Sequence, residues 1–166
     1  MTDPTVSVVI PVFNSERFLR DCINSVLAQT FSDFEIVIVN DGSTDGSVNI
    51  VRSYPDARLR MVSHTESRGP AEARNTGIRS SRGAYIALLD SDDIAEPTRL
   101  AEQIEAMEKA RGLVYLGTWA LTFKSEISTI TKLWKTETSD NVLRALLMFR
   151  NRFILSSVIF RRNIVP

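Results

Sequence analysis

The sequence predicts an α/β fold in which a mainly parallel sheet carries helices on both faces. Short runs of β-branched, apolar residues alternate with segments of helical periodicity, and this alternation repeats four times before Gly112. Continuous apolar strands of this kind are typical of a parallel sheet that is covered on both faces. Turn-forming residues separate the segments, as expected when a helix joins each strand to the next.

The four strands and four helices can be placed from their residues. Each strand is too short for a buried helix and is bounded by turn residues. Each helix follows from apolar residues at spacings of three and four, or from a proline in its first turn. The strands are predicted at Val6–Val12, Phe34–Val39, Leu59–Ser63 and Tyr85–Leu89. The helices are predicted at Phe18–Leu27, at Val48–Tyr54, from Gly69-Pro70 towards Gly83, and from Thr98 to about Ala110.

The pattern is less regular after Gly112, where the sequence is not diagnostic of one architecture. Alternating and apolar runs still predict three strands and one helix there. The strands are predicted at Val114–Phe123, Ile127–Trp134 and Phe153–Phe160, and the helix at Asp140–Phe149. We therefore treat residues 1–112 and residues 113–166 as two parts of the chain.

Composition excludes several classes of protein. The 166 residues carry 20 basic and 20 acidic side chains, so bulk charge predicts no nucleic-acid partner. A single cysteine, Cys22, and a single histidine, His64, exclude an internal disulfide framework and a Cys/His zinc site. No uncharged stretch is longer than Gly112–Phe123, which is too short to span a bilayer. Because the N-terminus lacks a secretory pattern, we expect a cytoplasmic protein.

Charge is distributed unevenly along the chain. Residues 141–166 carry five basic side chains and no acidic one, and they are rich in apolar residues. The simpler interpretation is part of an unfinished substructure, and the alternative is a basic amphipathic surface. An uncovered apolar segment favours self-association, so a homodimer through residues 141–166 is expected. Peripheral contact with the inner face of a membrane is the weaker option.

Acidic and amide side chains follow the predicted strands, where ligands bind in an open parallel sheet. The most acidic of these strand ends is Asp90-Ser91-Asp92-Asp93. Clustered carboxylates repel one another unless a cation lies between them, and their hard oxygens suit Mg²⁺ or Mn²⁺. The alternative is a helix N-cap, which accounts for one or two of the acids. We therefore predict a metal and diphosphate site at this strand end.

Asp41 has two interpretations of equal weight. It follows the second strand, where it is placed to bind a ligand. It also begins the turn-forming run Asp41-Gly42-Ser43, so it could make an Asx-turn that caps the next helix.

Other phosphate-binding and hydrolytic motifs are absent from the sequence. There is no G-x-x-x-x-G-K-[ST], no G-x-G-x-x-G after the first strand and no G-x-S-x-G. A Mg²⁺-dependent phosphotransfer domain is a weak alternative. A receiver-like domain of that kind would need an acid pair after the first strand and an aspartate after the third, where this chain has Asn14 and His64.

Four motifs, in order and at the right spacing, carry a resemblance to a known family. They are Val8-Val9-Ile10-Pro11-Val12-Phe13-Asn14, the run from Val37 to Asp45, the run from Gly69 through Ala73-Arg74-Asn75-Thr76-Gly77-Ile78, and the run from Gly83 to Asp93. Together they resemble the family 2 glycosyltransferases of the GT-A fold, with a weaker match at Ser156–Arg162. The resemblance implies a Rossmann-like sheet and an inverting transfer from a nucleotide sugar, typically a UDP-sugar, to an acceptor hydroxyl in polysaccharide or glycoconjugate synthesis.

The resemblance also implies roles for individual residues. Asp90-Ser91-Asp92 matches the D-x-D motif, in which Asp90 would hold the ribose and Asp92 would bind Mn²⁺ or Mg²⁺ on the diphosphate. Asp41 looks like the acceptor for the N3–H of uracil. The nucleotide-binding residues implied are Pro11, Phe13, Asn14, Glu16, Asp41, Arg74, Asp90 and Ser91, and the metal ligands are Asp92 and Asp90. Ser67 departs from the family, where asparagine is common, and His64 is expected to be a loop histidine without a partner.

In this family a carboxylate base, often in a Glu-Asp pair, follows the D-x-D motif. No adjacent acidic pair follows Asp93. We therefore expect the base beyond Pro166, with residues 1–112 as the nucleotide-sugar-binding half and residues 113–166 as the incomplete start of the acceptor-side region. The acceptor would be a sugar or a lipid-linked sugar. The alternative is a donor- and metal-binding module without transfer activity. If the chain does transfer, Glu137 and Asp140 are the first candidates for the base.

Overall fold

The computed structural model describes residues 3–124, 126–135, 138–147 and 153–165, with side chains for all of these except residues 126–128 and 144–147. The four strands and four helices predicted before Gly112 are present, and their ends agree within two residues. The strands are β1 (Val6–Val12), β2 (Phe34–Asp41), β3 (Leu59–His64) and β4 (Tyr85–Leu88). The helices are α1 (Leu19–Leu27), α2 (Ser47–Arg52), α3 (Pro70–Ser80) and α4 (Arg99–Lys109).

The second part of the chain adds the strands β5 (Tyr115–Gly117), β6 (Ala120–Lys124), β7 (Glu126–Trp134) and β8 (Val158–Arg161), with helix α5 (Asp140–Leu147). Six strands form the main sheet in the order β3-β2-β1-β4-β8-β5, and β6 and β7 form a separate hairpin. β1 is parallel to β2 and β4, and β2 is parallel to β3, whereas β8 is antiparallel to β4 and β5. The prediction of a mainly parallel sheet is confirmed.

Helices cover both faces of the sheet, as predicted. Alternate residues of β1 point to opposite faces, which is the two-residue period of a strand. Val8 and Ile10 pack in the larger cluster with α1 and α4, while Val9 packs in a second cluster with α3. Gly77 of α3 lies directly on that second face, because a Cβ there would be 2.3 Å from Cγ1 of Val9. A larger side chain at position 77 therefore cannot fit without moving the helix.

The predicted strand Val114–Phe123 is wrong as a single element. Its first part pairs with β8 in the main sheet, and its second part pairs with β7 in the hairpin. At the junction Gly117 lies against Phe153, whose Cδ1 would be 2.8 Å from a Cβ at position 117. Apolar content alone does not mark the point at which a chain leaves one sheet for another, so the sequence reasoning merged the two strands.

The predicted strand Phe153–Phe160 is also wrong in its first half. Leu155–Ser157 forms a 3₁₀ turn, and β8 begins only at Val158. The turn is stabilised by Ser157, whose backbone N–H and Oγ both donate to the Ile154 carbonyl at 2.9 and 2.8 Å. A serine that bonds a nearby carbonyl competes with strand pairing in this way. Of the predicted helix Asp140–Phe149, Met148 and Phe149 lie outside the described residues.

β5 and β8 extend the sheet that β1 to β4 begin, so strands from both parts of the chain share one sheet. The division of the chain at residue 112 stays a prediction. In the part of the chain that the structure covers, no helix has the length and apolar character needed to span a membrane.

A buried carboxylate stabilises the end of the sheet at which the parallel strands begin. The side chain of Glu35 on β2 is 2% exposed. It accepts hydrogen bonds from Ser7 Oγ at 2.6 Å, Arg60 Nε at 2.9 Å and the Arg82 backbone at 2.8 Å. Burial alone raises the pKa of Glu35, but these bonds outweigh it and lower the pKa to about 2. The ionised form therefore stabilises the fold.

We expect this carboxylate to make the fold acid-sensitive. Since the pKa falls from 4.5 to about 2 on folding, the stabilisation is complete above pH 4.5 and is lost as the pH drops towards 2. Glu35→Gln should lower the free energy of unfolding at pH 7 by about 3 kcal/mol and flatten its dependence on pH between these limits. Urea unfolding at several pH values measures both effects.

The control for this experiment is Glu66→Gln, because Glu66 is exposed and lies in a loop. That variant should unfold like the parent at every pH. Equal pH dependence in Glu35→Gln and the parent would show that Glu35 does not link acid to unfolding.

Candidate active site

A cleft of about 440 Å³ opens at the carboxyl ends of β1, β2 and β4. This is the edge at which ligands bind in open parallel sheets. The predicted residues that line it are Pro11, Phe13, Asn14, Asp41, Arg74, Asp90, Ser91 and Asp92. The other lining residues are Val12, Ser15, Phe18, Ser67, Gly69, Pro70 and Ala73. The structure thus brings together residues from four separate motifs of the sequence.

Glu16, which was grouped with the nucleotide-binding residues, is not among those that line the cleft. Its Oε2 accepts a hydrogen bond from the backbone N–H of Gly46 at 2.6 Å, just before α2. Its own N–H donates to Asp45 Oδ2 at 3.0 Å. Glu16 therefore holds the loop after β1 against the start of α2.

The loop that follows β1 is fixed by Asn14, which adopts a φ of 49°. Asparagine tolerates this left-handed conformation better than most residues. Its Oδ1 accepts a hydrogen bond from the Thr44 backbone at 2.8 Å, and its N–H donates to Ser43 Oγ at 3.1 Å. These bonds tie the ends of β1 and β2 together and shape one wall of the cleft.

The Asx-turn considered for Asp41 belongs to the residue before it. Asn40 Oδ1 accepts a hydrogen bond from the Ser43 backbone at 3.0 Å. Asp41 instead accepts bonds from the loop between β3 and α3. Successive residues of a strand point to opposite faces, so only one of the two can reach each loop.

The Asp41 carboxylate anchors that loop. Its Oδ2 accepts hydrogen bonds from Ser67 Oγ at 2.8 Å and the Gly69 backbone at 3.0 Å. Its Oδ1 accepts one from the Arg68 backbone at 2.9 Å. Burial alone raises the pKa of Asp41, but the hydrogen bonds, from the Arg68 backbone first and then from His64, lower the pKa to about 2. The side chain is therefore an ionised acceptor at neutral pH.

The expectation of a loop histidine without a partner is wrong. His64 is the last residue of β3, is 9% exposed, and pairs in register with Asp41. Its Nδ1 lies 2.6 Å from Asp41 Oδ1, and its Nε2 lies 3.0 Å from Thr76 Oγ1. Because an ionised carboxylate only accepts, Nδ1 carries the hydrogen. The signal that could have found this pair is that both residues end adjacent parallel strands.

The acidic motif does not cap a helix. α4 begins at Arg99 after Thr98, and Asp90–Asp93 form a turn well before it. Asp90 Oδ1 accepts a hydrogen bond from Arg74 Nη2 at 2.6 Å, and Ser91 Oγ lies 2.7 Å from Ser15 Oγ. The N-cap alternative is therefore wrong, and the motif faces the cleft.

Two buried side chains, Arg99 and Cys22, lie beneath the acidic motif. The sequence did not predict that either of them contacts it. Arg99 is 9% exposed and donates to the Leu88 carbonyl at 3.0 Å and the Val158 carbonyl at 3.3 Å. Burial lowers its pKa to about 10, against the opposing charge of Asp93. Cys22 Sγ lies 3.5 Å from the Asp90 carbonyl, and burial raises the pKa of this thiol.

The carboxylates of the motif differ in environment. Asp90 and Asp92 line the cleft. Asp93 is more enclosed, and burial raises its pKa, as do the charges of Asp92 and Asp90. The backbone N–H of Asp90 donates to Ser156 Oγ at 3.0 Å, so the turn before β8 supports the motif from below. No sequence pattern indicated that support.

The donor set suits a hard divalent ion that shares its coordination with a ligand. Among the residues with described positions, no three His, Cys, Asp or Glu side chains surround a common point. Mg²⁺ and Mn²⁺ are commonly held by one or two carboxylates together with substrate phosphates, so a complete protein cage is not required. The carboxylate oxygens of Asp92 and Asp90 at the cleft fit such an ion.

The acids that follow the motif are engaged elsewhere. Glu96 accepts hydrogen bonds from the Thr98 backbone and hydroxyl, Glu105 pairs with Lys109, and Glu108 accepts from Tyr85. Glu137 lies outside the described residues, and Asp140 begins α5. Of the acids after Asp93 that the structure places, none lines the cleft.

The parallel sheet and the acid-lined cleft at its carboxyl edge define the GT-A class of α/β proteins. The mannosyltransferase PcManGT from Pyrobaculum calidifontis, solved with GDP-Man and Mn²⁺, matches with a TM-score of 0.72 over 99% of this chain and 46% of its own, at 22% identity. S. aureus TarS 1–349, solved with UDP-GlcNAc, matches with a TM-score of 0.70 over 97% of this chain and 46% of its own, at 20% identity. At these identities the likeness shows the fold.

The sequence itself shows the family. The profile of glycosyl transferase family 2 matches residues 7–159, and the chain belongs to that family. EpsH of Bacillus subtilis (strain 168), which is named as a glycosyltransferase, is 32% identical over 170 residues. The match covers 99% of this chain and 49% of EpsH, so the chain spans about half the length of this relative.

Proposed function

We propose that this chain is the donor-binding part of an inverting glycosyltransferase that uses a nucleoside diphosphate sugar, with a UDP-sugar favoured. The observation that carries the proposal is the convergence of Asp41, Arg74, Asp90 and Asp92 on one cleft. The neighbouring structures that bind UDP-GlcNAc or GDP-Man support a nucleotide-sugar ligand. The activity proposed is glycosyl transfer of the hexosyl or a related type, in polysaccharide or glycoconjugate synthesis.

The cleft offers a different surface to each part of the donor. Phe13 is 52% exposed at its mouth, so the Pro11–Asn14 loop presents an apolar surface to the base. Asp41 lines the same cleft and takes part in recognition of the base. Asp90, next to Ser91, is placed for the ribose hydroxyls. Since a carboxylate accepts strongly from hydroxyls, the ribose would be oriented by charge-assisted hydrogen bonds.

The diphosphate and its metal belong beside Asp92. A bound Mn²⁺ or Mg²⁺ would be held by Asp92, with Asp90 as the second carboxylate, and would stabilise the charge on the departing nucleoside diphosphate. Arg74 is a cation at the same place, and the hydrogen bond from its Nη2 to Asp90 holds it there. Its buried Nε has no hydrogen-bond partner in the described structure. Arg74 therefore offsets part of the charge of the acidic motif and faces the phosphates.

We further propose that the acceptor, a sugar or a lipid-linked sugar, meets a general base that this part of the protein does not supply. A positioned base contributes roughly 10²–10⁴ in rate. The homodimer and the peripheral membrane contact expected for residues 141–166 remain proposals, because much of that stretch lies outside the described side chains. A cytoplasmic location at the inner face of the membrane is proposed with them.

Metal dependence tests the donor site. Calorimetry with UDP should give a dissociation constant at least about tenfold lower with Mn²⁺ than with excess chelator, because the diphosphate faces Asp90 and Asp92. Asp92→Asn should abolish most of this difference. Asp21→Asn, which changes an exposed aspartate on α1, is the matched control and should behave like the parent. Equal affinity for UDP in chelator and in Mn²⁺ would show that the site binds the nucleotide without a metal ion.

A binding module without transfer activity is the second candidate. It is favoured by the lack of any cleft-lining acid after Asp93 among the residues that the structure places. Acceptor-dependent release of UDP separates the two candidates. We expect little release by the 166-residue chain. Full turnover would place the base within the chain, with Asp140 and Glu137 as the first residues to substitute.

A further inference from the structure

Asp90, the first acid of the motif, is held by side chains from three distant parts of the chain. Its backbone N–H donates to Ser156 Oγ at 3.0 Å, and its carbonyl oxygen accepts from Cys22 Sγ at 3.5 Å. Its carboxylate accepts from Arg74 Nη2 at 2.6 Å. These three contacts fix both the peptide group and the side chain, so they set the direction in which the Asp90 carboxylate faces the cleft.

Ser156 occupies the place of a strand partner. β4 and β8 pair antiparallel, and the pairing at this end of the ladder joins Ala87 to Ile159. Continuing that register places Ser156 opposite Asp90. The chain forms a 3₁₀ turn at Leu155–Ser157 instead of extending the strand. The hydroxyl oxygen of Ser156, in place of a strand carbonyl, therefore satisfies the Asp90 N–H.

The turn that carries Ser156 is fixed by buried polar groups of α4. Gln103, which is 1% exposed, donates from Nε2 to the Ser157 carbonyl at 2.8 Å. Arg99 Nη2 donates to the Val158 carbonyl at 3.3 Å, and its Nε donates to Gln103 Oε1 at 3.2 Å. Buried networks whose members all have partners hold one arrangement. Ser156 is thus presented to the acidic motif by a fixed piece of backbone.

Asp93, the last acid of the motif, is directed away from the cleft. Asp90 and Asp92 line the cleft, and Asp93 does not. Burial raises the pKa of Asp93, and a side-chain hydrogen bond with Ser156 opposes that rise. The charge of Asp93 also acts on the buried Arg99, where it opposes the lowering of the Arg99 pKa by burial. Asp93 therefore interacts with the groups beneath the motif.

The Ser156 hydroxyl has one hydrogen to donate, and a carboxylate only accepts. The hydrogen is therefore directed at Asp93, and a lone pair of Oγ is left for the Asp90 N–H. We propose that Ser156 is a positioning residue for Asp90, and that Asp93 orients the Ser156 hydroxyl instead of binding the metal ion. The proposal rests on the metal- and nucleotide-binding function proposed above. It makes a turn from residues 113–166 a working part of the nucleotide-sugar site.

The test of Ser156 measures UDP binding by calorimetry, once in Mn²⁺ and once in excess chelator. Ser156→Ala should weaken binding in Mn²⁺ about fivefold, the effect of one hydrogen bond, and should change binding in chelator by less than about twofold. Ser156→Thr keeps the hydroxyl and should restore the parent affinity. Ser32→Ala removes an exposed hydroxyl before β2 and is the matched control, with the affinities of the parent.

Substitutions of Asp93 separate orientation of the hydroxyl from metal binding. In Asp93→Asn the amide oxygen still accepts from Ser156, so this variant should keep most of the effect of Mn²⁺ on UDP binding. Asp93→Ala removes the acceptor and should match Ser156→Ala. If Asp93→Asn loses the Mn²⁺ effect as completely as Asp92→Asn does, Asp93 is a metal ligand and the role proposed for it is overturned.

Hydrogen exchange of the Asp90 amide, followed by NMR without nucleotide, tests the bond itself. The amide should exchange at least about tenfold faster in Ser156→Ala than in the parent or in Ser32→Ala. Equal exchange rates overturn the inference, and so does faster exchange with unchanged UDP affinity in Mn²⁺.

The same measurement separates the inference from the function on which it rests. If Mn²⁺ has no effect on UDP binding by the parent, the proposed metal function fails, and the exchange rates still decide whether Ser156 holds Asp90. Thermal unfolding checks that each variant is folded. Ser156→Cys, whose sulfur is a weak acceptor, replaces Ser156→Ala if that variant does not fold.

Discussion

The parallel alignment of β1 with β2 and β4 is the constraint on which the candidate site depends. It brings the ends of three strands that are distant in sequence to one edge, so that Asn14, Asp41 and Asp90 surround one cleft. A slip of one residue in either pairing would turn every side chain of the strand to the other face and scatter these groups. The buried apolar faces, and the direct contact of Gly77 with Val9, fix the register.

At the carboxyl ends of the parallel strands, the negative charge of the acidic motif is partly balanced by nearby guanidinium groups. The carboxylates of Asp90, Asp92 and Asp93 are close in sequence and face two guanidinium groups, Arg74 beside them and Arg99 beneath. The negative charge that remains on the carboxylates is directed at the cleft. A divalent ion bound there would balance this charge and could share its coordination with a diphosphate. At the opposite edge Glu35 is fully paired within the protein, so that end contributes to stability and the carboxyl end is left for a ligand.

Much of the fold and part of the site could be predicted from the sequence, because they depend on local patterns. The four parallel strands, their helices and the acid run at Asp90–Asp93 each follow from residue types at short spacing. The partner of His64, the burial of Arg99 and the support from Ser156 depend on which strands become neighbours. Sequence order carries little of that information, and the same reason accounts for the merging of β5 with β6.

A crystal structure of the chain soaked with UDP and Mn²⁺ tests the central claim most directly, because the anomalous signal of manganese locates the ion independently of the nucleotide. The account predicts one strong peak between Asp92 and the diphosphate, with the base at the end of the cleft formed by Phe13 and Ser67. A manganese peak away from the acidic motif, or a nucleotide bound outside the cleft, would contradict it.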